Sequence, residues 1–216
     1  MNFFSDFWEV VVQRQDIIIE GTIEHLYLSF SAIVIAILIS LPLGIFISRN
    51  QRVAEFYIGI TAVFQTIPSL ALFGFLVPIL GIGFETALIA LIIYALLPIL
   101  RNTYTGITGV DQAVIEAGQG MGMTSTQILF KIELPLSLPF LMAGIRTATV
   151  LTVGIATLAT FVGAGGLGDV IWRGLQSYNN ELVLAGAIPV ALLALSFDFI
   201  LKMLEKYTTP KGINSK

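Results

Sequence analysis

Charged side chains divide this chain more sharply than any other feature. There is none from Leu26 to Ser48 and none from Phe56 to Phe84, and further charge-free windows run from Thr86 to Leu100, Thr147 to Gly168 and Leu182 to Phe197. A helix of about 20 apolar residues crosses the hydrocarbon core of a bilayer. The windows therefore predict five membrane spans, at about residues 24–48, 55–80, 85–107, 138–162 and 181–204. The third and fifth windows are short for a full crossing, but Arg101 and Lys202 at their ends can snorkel to an interface. A composition 56% hydrophobic and 12% charged agrees, since it supplies too little polar surface to cover a soluble globule of 216 residues. Pro42, Pro68, Pro78, Pro98 and Pro189 fall in or beside the windows. Proline is tolerated in a bilayer where neighbours re-satisfy the backbone, and a kink is expected at Thr66-Ile67-Pro68-Ser69.

Lys and Arg favour the cytoplasmic loops of such a chain. With the N-terminus outside and the C-terminus inside, nine of the eleven (Arg49, Arg52, Arg101, Lys131, Arg146, Lys202, Lys206, Lys211 and Lys216) lie inside, and only Arg14 and Arg173 outside. Trp8 and Trp172 then share the outer side, where amphipathic rings sit at headgroup level. Within an N-terminal segment 1–22, Phe4, Phe7, Trp8, Val11 and Val12 recur at helical spacing, as in a short helix lying on the outer surface. Asp6, Glu9, Arg14 and Asp16 interrupt this stretch, so a cleavable signal peptide is not expected and the chain should start at or near Met1.

Several chemistries are excluded. No Cys and a single His, His25, rule out thiolate and His-cluster metal sites, cysteine nucleophiles and a Ser-His-Asp arrangement, so neither a metal site nor catalytic residues are assigned. A formal charge of −3 offers no basic face to nucleic acid. No Gly-x-x-x-x-Gly-Lys-Ser/Thr occurs, so the chain has no phosphate-cradling loop of its own.

The chain reads as one domain, 1–216, whose longest soluble segments are a loop at about 108–137, placed inside, and another at about 163–181, placed outside. Loops of such length are usually functional. In the first, Asp111 can cap a short helix from Gln112 to Gln119, Gly122 can end it, and Thr124 with Gln127 can form a capping box for a second helix. The product is a helix, a sharp corner and a helix. Small residues at 117, 118, 120 and 122 permit close approach of another protein, and Val114, Ile115, Met121 and Met123 supply apolar contact.

The same loop reads Glu116-Ala117-Gly118, three residues, Gly122, nine residues, then Ile132-Glu133-Leu134-Pro135. This resembles the Glu-Ala-Ala loop of ABC importer permeases in every spacing, with Gly118 standing where the family usually has Ala. Ile67-Pro68-Ser69-Leu70-Ala71, Leu97-Pro98-Ile99-Leu100-Arg101-Asn102-Thr103-Tyr104, Met142-Ala143-Gly144-Ile145-Arg146 and Gly163-Ala164-Gly165-Gly166-Leu167-Gly168-Asp169 extend the resemblance to osmoprotectant importers of the OpuC type, which serve glycine betaine, carnitine and choline. The resemblance implies an all-α membrane fold of five spans shared with methionine importer permeases, in the bacterial cytoplasmic membrane. It also implies a second permease subunit, two cytoplasmic ATPases that hold the ATP, and an extracytoplasmic solute-binding protein. Glu116, Ala117, Gly118, Gly122, Ile132, Leu134 and Pro135 would then form the ATPase-coupling loop. Related permeases serve ergothioneine or methionine, so these solutes stand as alternatives, and a carrier driven by an ion gradient is the rival outside the family.

Other signals are weaker. Gly163-x-Gly165-x-x-Gly168 matches a dinucleotide-binding pattern, but no alternating α/β chain surrounds it, and a tight external turn after the fourth span explains the glycines better. Asp198 and Lys202, four apart, are expected to pair. His25 is expected to be a hydrogen-bonded side chain at the outer interface. Phe64, Phe73, Tyr94 and Phe161, with Phe75, could face a solute route and offer cation–π contact to a quaternary ammonium, although lipid-facing or packing roles are open to each.

Overall fold

A computed structural model describes residues 3–208, and within them the chain is helical throughout, with no strand. The order is α1 (Phe3–Gln13), α2 (Gln15–Ile47), α3 (Gln51–Thr66), α4 (Ser69–Leu80), α5 (Phe84–Thr108), α6 (Gln112–Gly120), α7 (Ser125–Ile128), a π-helical turn (Leu129–Glu133), α8 (Leu134–Ala156), a 3₁₀ segment (Thr157–Val162), α9 (Leu167–Gln176) and α10 (Asn180–Thr208). Four stretches are long and apolar enough to cross a membrane: α2, α5, Ser125–Val162 and Asn180–Tyr207. The pair α3 and α4, bent by 99°, makes a fifth if taken as one span.

Contacts at the two ends of α2 set the directions of the helices. Near its start, Glu24 meets the Gly163–Gly166 turn that follows α8. Just beyond its other end, Arg49 meets Glu133, immediately ahead of α8. Hence α2 and α8 run antiparallel, with the α6 corner at one end of the bundle and the glycine turn at the other. The backbone N–H of Gly83 donates to the Val162 carbonyl at 2.6 Å, which places the start of α5 at the glycine end. α10 starts against α9 and runs toward the α6 end, where Asp198 and Glu205 meet Arg146 of α8.

Helix packing relies on small side chains, as is usual where lipid removes the hydrophobic drive between helices. A Cβ on Gly44 would lie 2.6 Å from the Thr103 side chain, and one on Gly144 2.6 Å from Asn102, so α2 and α8 both approach α5 closely. The largest core cluster joins Leu28, Leu72, Phe73, Leu91, Tyr94 and Ala156 from α2, α4, α5 and α8. Ile47, Ala54 and Leu100 close a smaller one at the α6 end.

Several helix limits differ from those read from charge. The 55–80 span is two helices with a corner. Pro68 has no N–H to continue the ladder and forces Ile67 into extended backbone (φ −67°, ψ 128°). The Tyr94 hydroxyl donates to the Ile67 carbonyl that the break frees. Pro42, Pro78, Pro98, Pro139 and Pro189 instead lie inside helices. The segment 1–22 is α1 followed by the first turns of α2, because Asp16 and Glu20 interrupt an apolar window without interrupting a hydrogen-bond ladder. The inner loop does not extend to 137: α7 runs through the π turn into α8. The outer loop contains α9, a helix that the reading from charge did not mark. Lys211 and Lys216, counted above with the cytoplasmic charges, lie outside the described residues.

Candidate functional site: the α6 corner

Asp111 opens α6 by accepting the Ala113 N–H at 2.9 Å, which satisfies one of the orphan donors of the first turn. The other end closes in a Schellman arrangement. Gly122, at φ +80°, donates to the Gln119 carbonyl at 2.9 Å, and Met123 donates to the Gly118 carbonyl at 3.1 Å. One residue on, Thr124 and Gln127 complete a capping box: Thr124 Oγ1 accepts the Gln127 N–H at 3.3 Å, while Gln127 Oε1 accepts the Thr124 N–H at 2.8 Å. Each end of the corner is thus fixed by local hydrogen bonds, and the chain reverses on a single left-handed glycine.

The motif residues divide by face. Glu116 and Ala117 are exposed, and Val114 and Met121 beside them present apolar side chains outward, Met121 at 75% exposure. Gly118 is buried against the span below. A Cβ there would meet Ile132 Cδ1 at 2.8 Å and Met123 Sδ at 3.4 Å, so Gly in place of the usual Ala lets α6 lie closer to Ile132. Ile132, Leu134 and Pro135 are half-buried in and just after the π turn, and Ile132 lies beneath Gly118 of α6.

Glu133, the variable residue of the motif, is 4% exposed and is the only acid among the buried polar residues described. Arg49, in the turn between α2 and α3, clasps it with both terminal guanidinium nitrogens, Nη1 donating to Oε1 at 2.8 Å and Nη2 to Oε2. Hydrogen bonding to Glu133 holds the Arg49 proton more tightly than in a free guanidinium, and partial burial opposes this only in part. Sequence reasoning missed this pair. A lone acid just ahead of an apolar span implies a cationic partner, but nothing in the sequence says which cation meets it.

The aromatic side chains proposed for a solute route divide between the core and the surface. Phe73 (1% exposed) and Tyr94 (5%) are packed inside the main core of this chain. Their bulk fills the angle between α4 and α5, which corrects the expectation that they line a path. Phe64 and Phe161 remain at the surface, Phe161 edge-on to Trp172 with ring centroids 4.9 Å apart. Phe75 is exposed as well. His25 is also placed differently: it is 1% exposed, inside the helix bundle, with Nε2 3.0 Å from the Val153 carbonyl. Asp198 pairs across the bundle with Arg146 at 2.9 Å rather than along its own helix with Lys202, and Arg146 also reaches Glu205 at 3.2 Å.

At the glycine end, Gly163, Gly165 and Gly166 all take positive φ, and the Gly166 N–H donates to Glu24 at 2.8 Å. A cleft of about 310 Å³ there is lined by Glu20, Glu24, Gly165, Asp169 and Arg173 among others. The turn leads from a 3₁₀ segment into a helix, with no strand before it, so the dinucleotide pattern has no structural counterpart.

A polytopic helical bundle that carries a rigid helix-corner-helix at one end has the layout of a transport permease. The chain belongs to the family of binding-protein-dependent transport system inner membrane components, whose description matches residues 32–209. It is 51% identical over 192 residues to the carnitine transport permease protein OpuCB of Listeria monocytogenes, covering 89% of this chain and 88% of that one. It is 47% identical over 190 residues to the glycine betaine/carnitine/choline transport system permease protein OpuCB of Bacillus subtilis, covering 88% of each. In fold it matches a chain of the MetNI methionine ABC transporter in an inward-facing conformation, with a TM-score of 0.83 at 23% identity, over 92% of this chain and 99% of that one.

Proposed function

We propose that this chain is the permease subunit of an ATP-driven importer for a small quaternary ammonium solute such as glycine betaine, carnitine or choline. The observation that carries the reading is identity of 46–51% over nearly the whole chain to permeases named for those solutes. Identity to the methionine transporter is far lower, which makes methionine the weaker alternative. The chain does no covalent chemistry of its own. It has no phosphate loop, so ATP is bound and hydrolysed on a partner ATPase pair, and a second permease completes the conduit. An extracytoplasmic receptor delivers the solute. The charge distribution supports an outer N-terminus and puts the α6 corner in the cytoplasm.

The ATPase docks on α6, with Val114 and Met121 as apolar contacts and the Glu116 carboxylate available to a cationic or amide group. Gly122 sets the angle of the docking helix. A Cβ on Gly122 would meet nothing within 4 Å, so a β-branched residue there is resisted only by the backbone, at about 1–2 kcal/mol. In Gly122→Val the chain should insert normally and receptor affinity for solute should stay intact. ATPase co-purification should be lost and uptake should fall about tenfold or more, the factor corresponding to about 1.4 kcal/mol. Wild-type assembly and transport by Gly122→Val would refute the docking role.

A further inference from the structure

The π turn between α7 and α8 is a weak point in an otherwise continuous helix. Its i→i+5 bonds, including Leu134 N–H to the Leu129 carbonyl, replace the regular ladder just where the docking corner joins α8. A displacement applied to α6 could therefore be absorbed at the π turn instead of reaching the bundle. A contiguous set of contacts leads sideways out of the turn itself, before α8 is reached. Gly118 of α6 lies against Ile132, and the next residue, Glu133, is held by Arg49.

Arg49 sits in a turn that is itself tightly fixed. Ser48 Oγ donates to the Ile45 carbonyl at 2.7 Å, Asn50 N–H donates to the Ile47 carbonyl at 3.1 Å, and Asn50 Oδ1 caps α3 by accepting the Arg52 N–H at 3.0 Å. Ile47 and Ala54, on either side of the turn, are buried against Leu100 of α5. Beyond the turn, α3 leads directly to the corner at Ile67-Pro68. The ion pair is bidentate, so it fixes orientation as well as distance.

We propose that the Arg49–Glu133 pair is a strut that passes the movement of the α6 corner into the α2–α3 turn, making both residues positioning residues for coupling. The strut rests on the reading that the ATPase docks on α6. Movement of α6 shifts Ile132 and Glu133 together, and the paired guanidinium carries the α2–α3 turn with them. α3 then swings as a lever about the Pro68 corner.

The test uses the whole complex of permeases, ATPase and receptor in proteoliposomes, measuring solute uptake and ATP hydrolysis side by side. Glu133→Gln keeps the shape and removes the charge. It should assemble normally with an unchanged KM for receptor-bound solute, while maximal uptake falls about tenfold, the upper part of the range for substitutions along a coupling route. ATP hydrolysis should fall by less than about twofold, so that uptake per ATP drops. Arg49→Lys, which keeps the charge but loses the fork, should lie between, with a loss of about threefold. Wild-type uptake per ATP in either assembled variant would overturn the strut. Failure of both variants to assemble would also overturn it, since it would show a merely structural role. If the wild-type complex shows no ATP-driven uptake, the proposed function fails and the strut with it, an outcome distinct from uncoupled variants beside an active wild type.

Discussion

Gly168 and Gly59 show how different two glycines of one chain can be. A Cβ on Gly168 would lie 2.0 Å from the Thr157 carbonyl oxygen, a backbone atom that cannot rotate away, whereas a Cβ on Gly59 would meet nothing within 4 Å. Gly168→Ala should therefore push α9 off the start of the 3₁₀ segment and cost about 1–3 kcal/mol or more, the penalty for overpacking a well-filled contact. Gly59→Ala should be neutral or slightly stabilising, because Ala is the better helix former by about 1 kcal/mol. Thermal unfolding of the two variants in detergent checks this, and equal melting temperatures would show that the close contact between α9 and the 3₁₀ segment is absent. Residue chemistry that acts over a few positions was legible beforehand. Asp111, Gly122, Thr124 and Gln127 each impose a local hydrogen bond or backbone angle, and the helix limits at the corner follow from them. Phe73, Tyr94 and His25 were not legible in this way, since burial depends on which face of a helix meets a neighbour.

Among the helices, α10 shows what a charge-window reading leaves out. Much of its length is exposed, as expected of a helix facing lipid or a partner subunit, and Asp198 and Lys202 four apart suggested a pair within it. Arg146 takes Asp198 instead, because a guanidinium donates from several nitrogens in a planar fork and can hold Asp198 and Glu205 at once. The pairing spans 52 residues of sequence, and no local spacing rule reaches that far. Arg146→Met should leave two carboxylates without this cation inside or beside the bilayer and loosen α10 from α8, a loss of about 2 kcal/mol or more. Asp198→Asn should cost less, since Arg146 keeps Glu205 and an amide can still accept a hydrogen bond. The measurement is detergent melting combined with protease sensitivity of the chain beyond α8. Equal effects of the two substitutions would show that Arg146 is not the shared fastener. α9 escaped the sequence reading for a different reason. The glycines ahead of it mark a turn and drew the reading to a loop, although Leu167, Val170, Ile171 and Leu175 recur at helical spacing and could have marked the helix.

At the scale of the whole molecule, the alternation of helix direction and the distribution of charge lead to one statement about topology. α2 and α8 run antiparallel, α5 and α10 follow the direction of α2, and the bent pair α3–α4 returns the chain between α2 and α5, so the α6 corner and the Gly163–Gly166 turn lie at opposite ends. Of the nine Lys and Arg among the described residues, seven belong to the side assigned to the α6 corner, all but Arg14 and Arg173. The chain has no Cys, so single cysteines can be introduced without background. Ser5 on α1 and Ser177 after α9 are exposed near the glycine end, and Ser125 is exposed at the start of α7. In intact cells an impermeant maleimide should label Ser5→Cys and Ser177→Cys. Ser125→Cys should react only after the membrane is opened. The opposite pattern would place the α6 corner outside the cell, beyond reach of any cytoplasmic ATPase, and would remove the docking role of Glu116 and Gly122. Labelling of Ser5 and Ser125 from the same side would instead require an even number of crossings between them, so that α3 and α4 would enter and leave by one face without spanning.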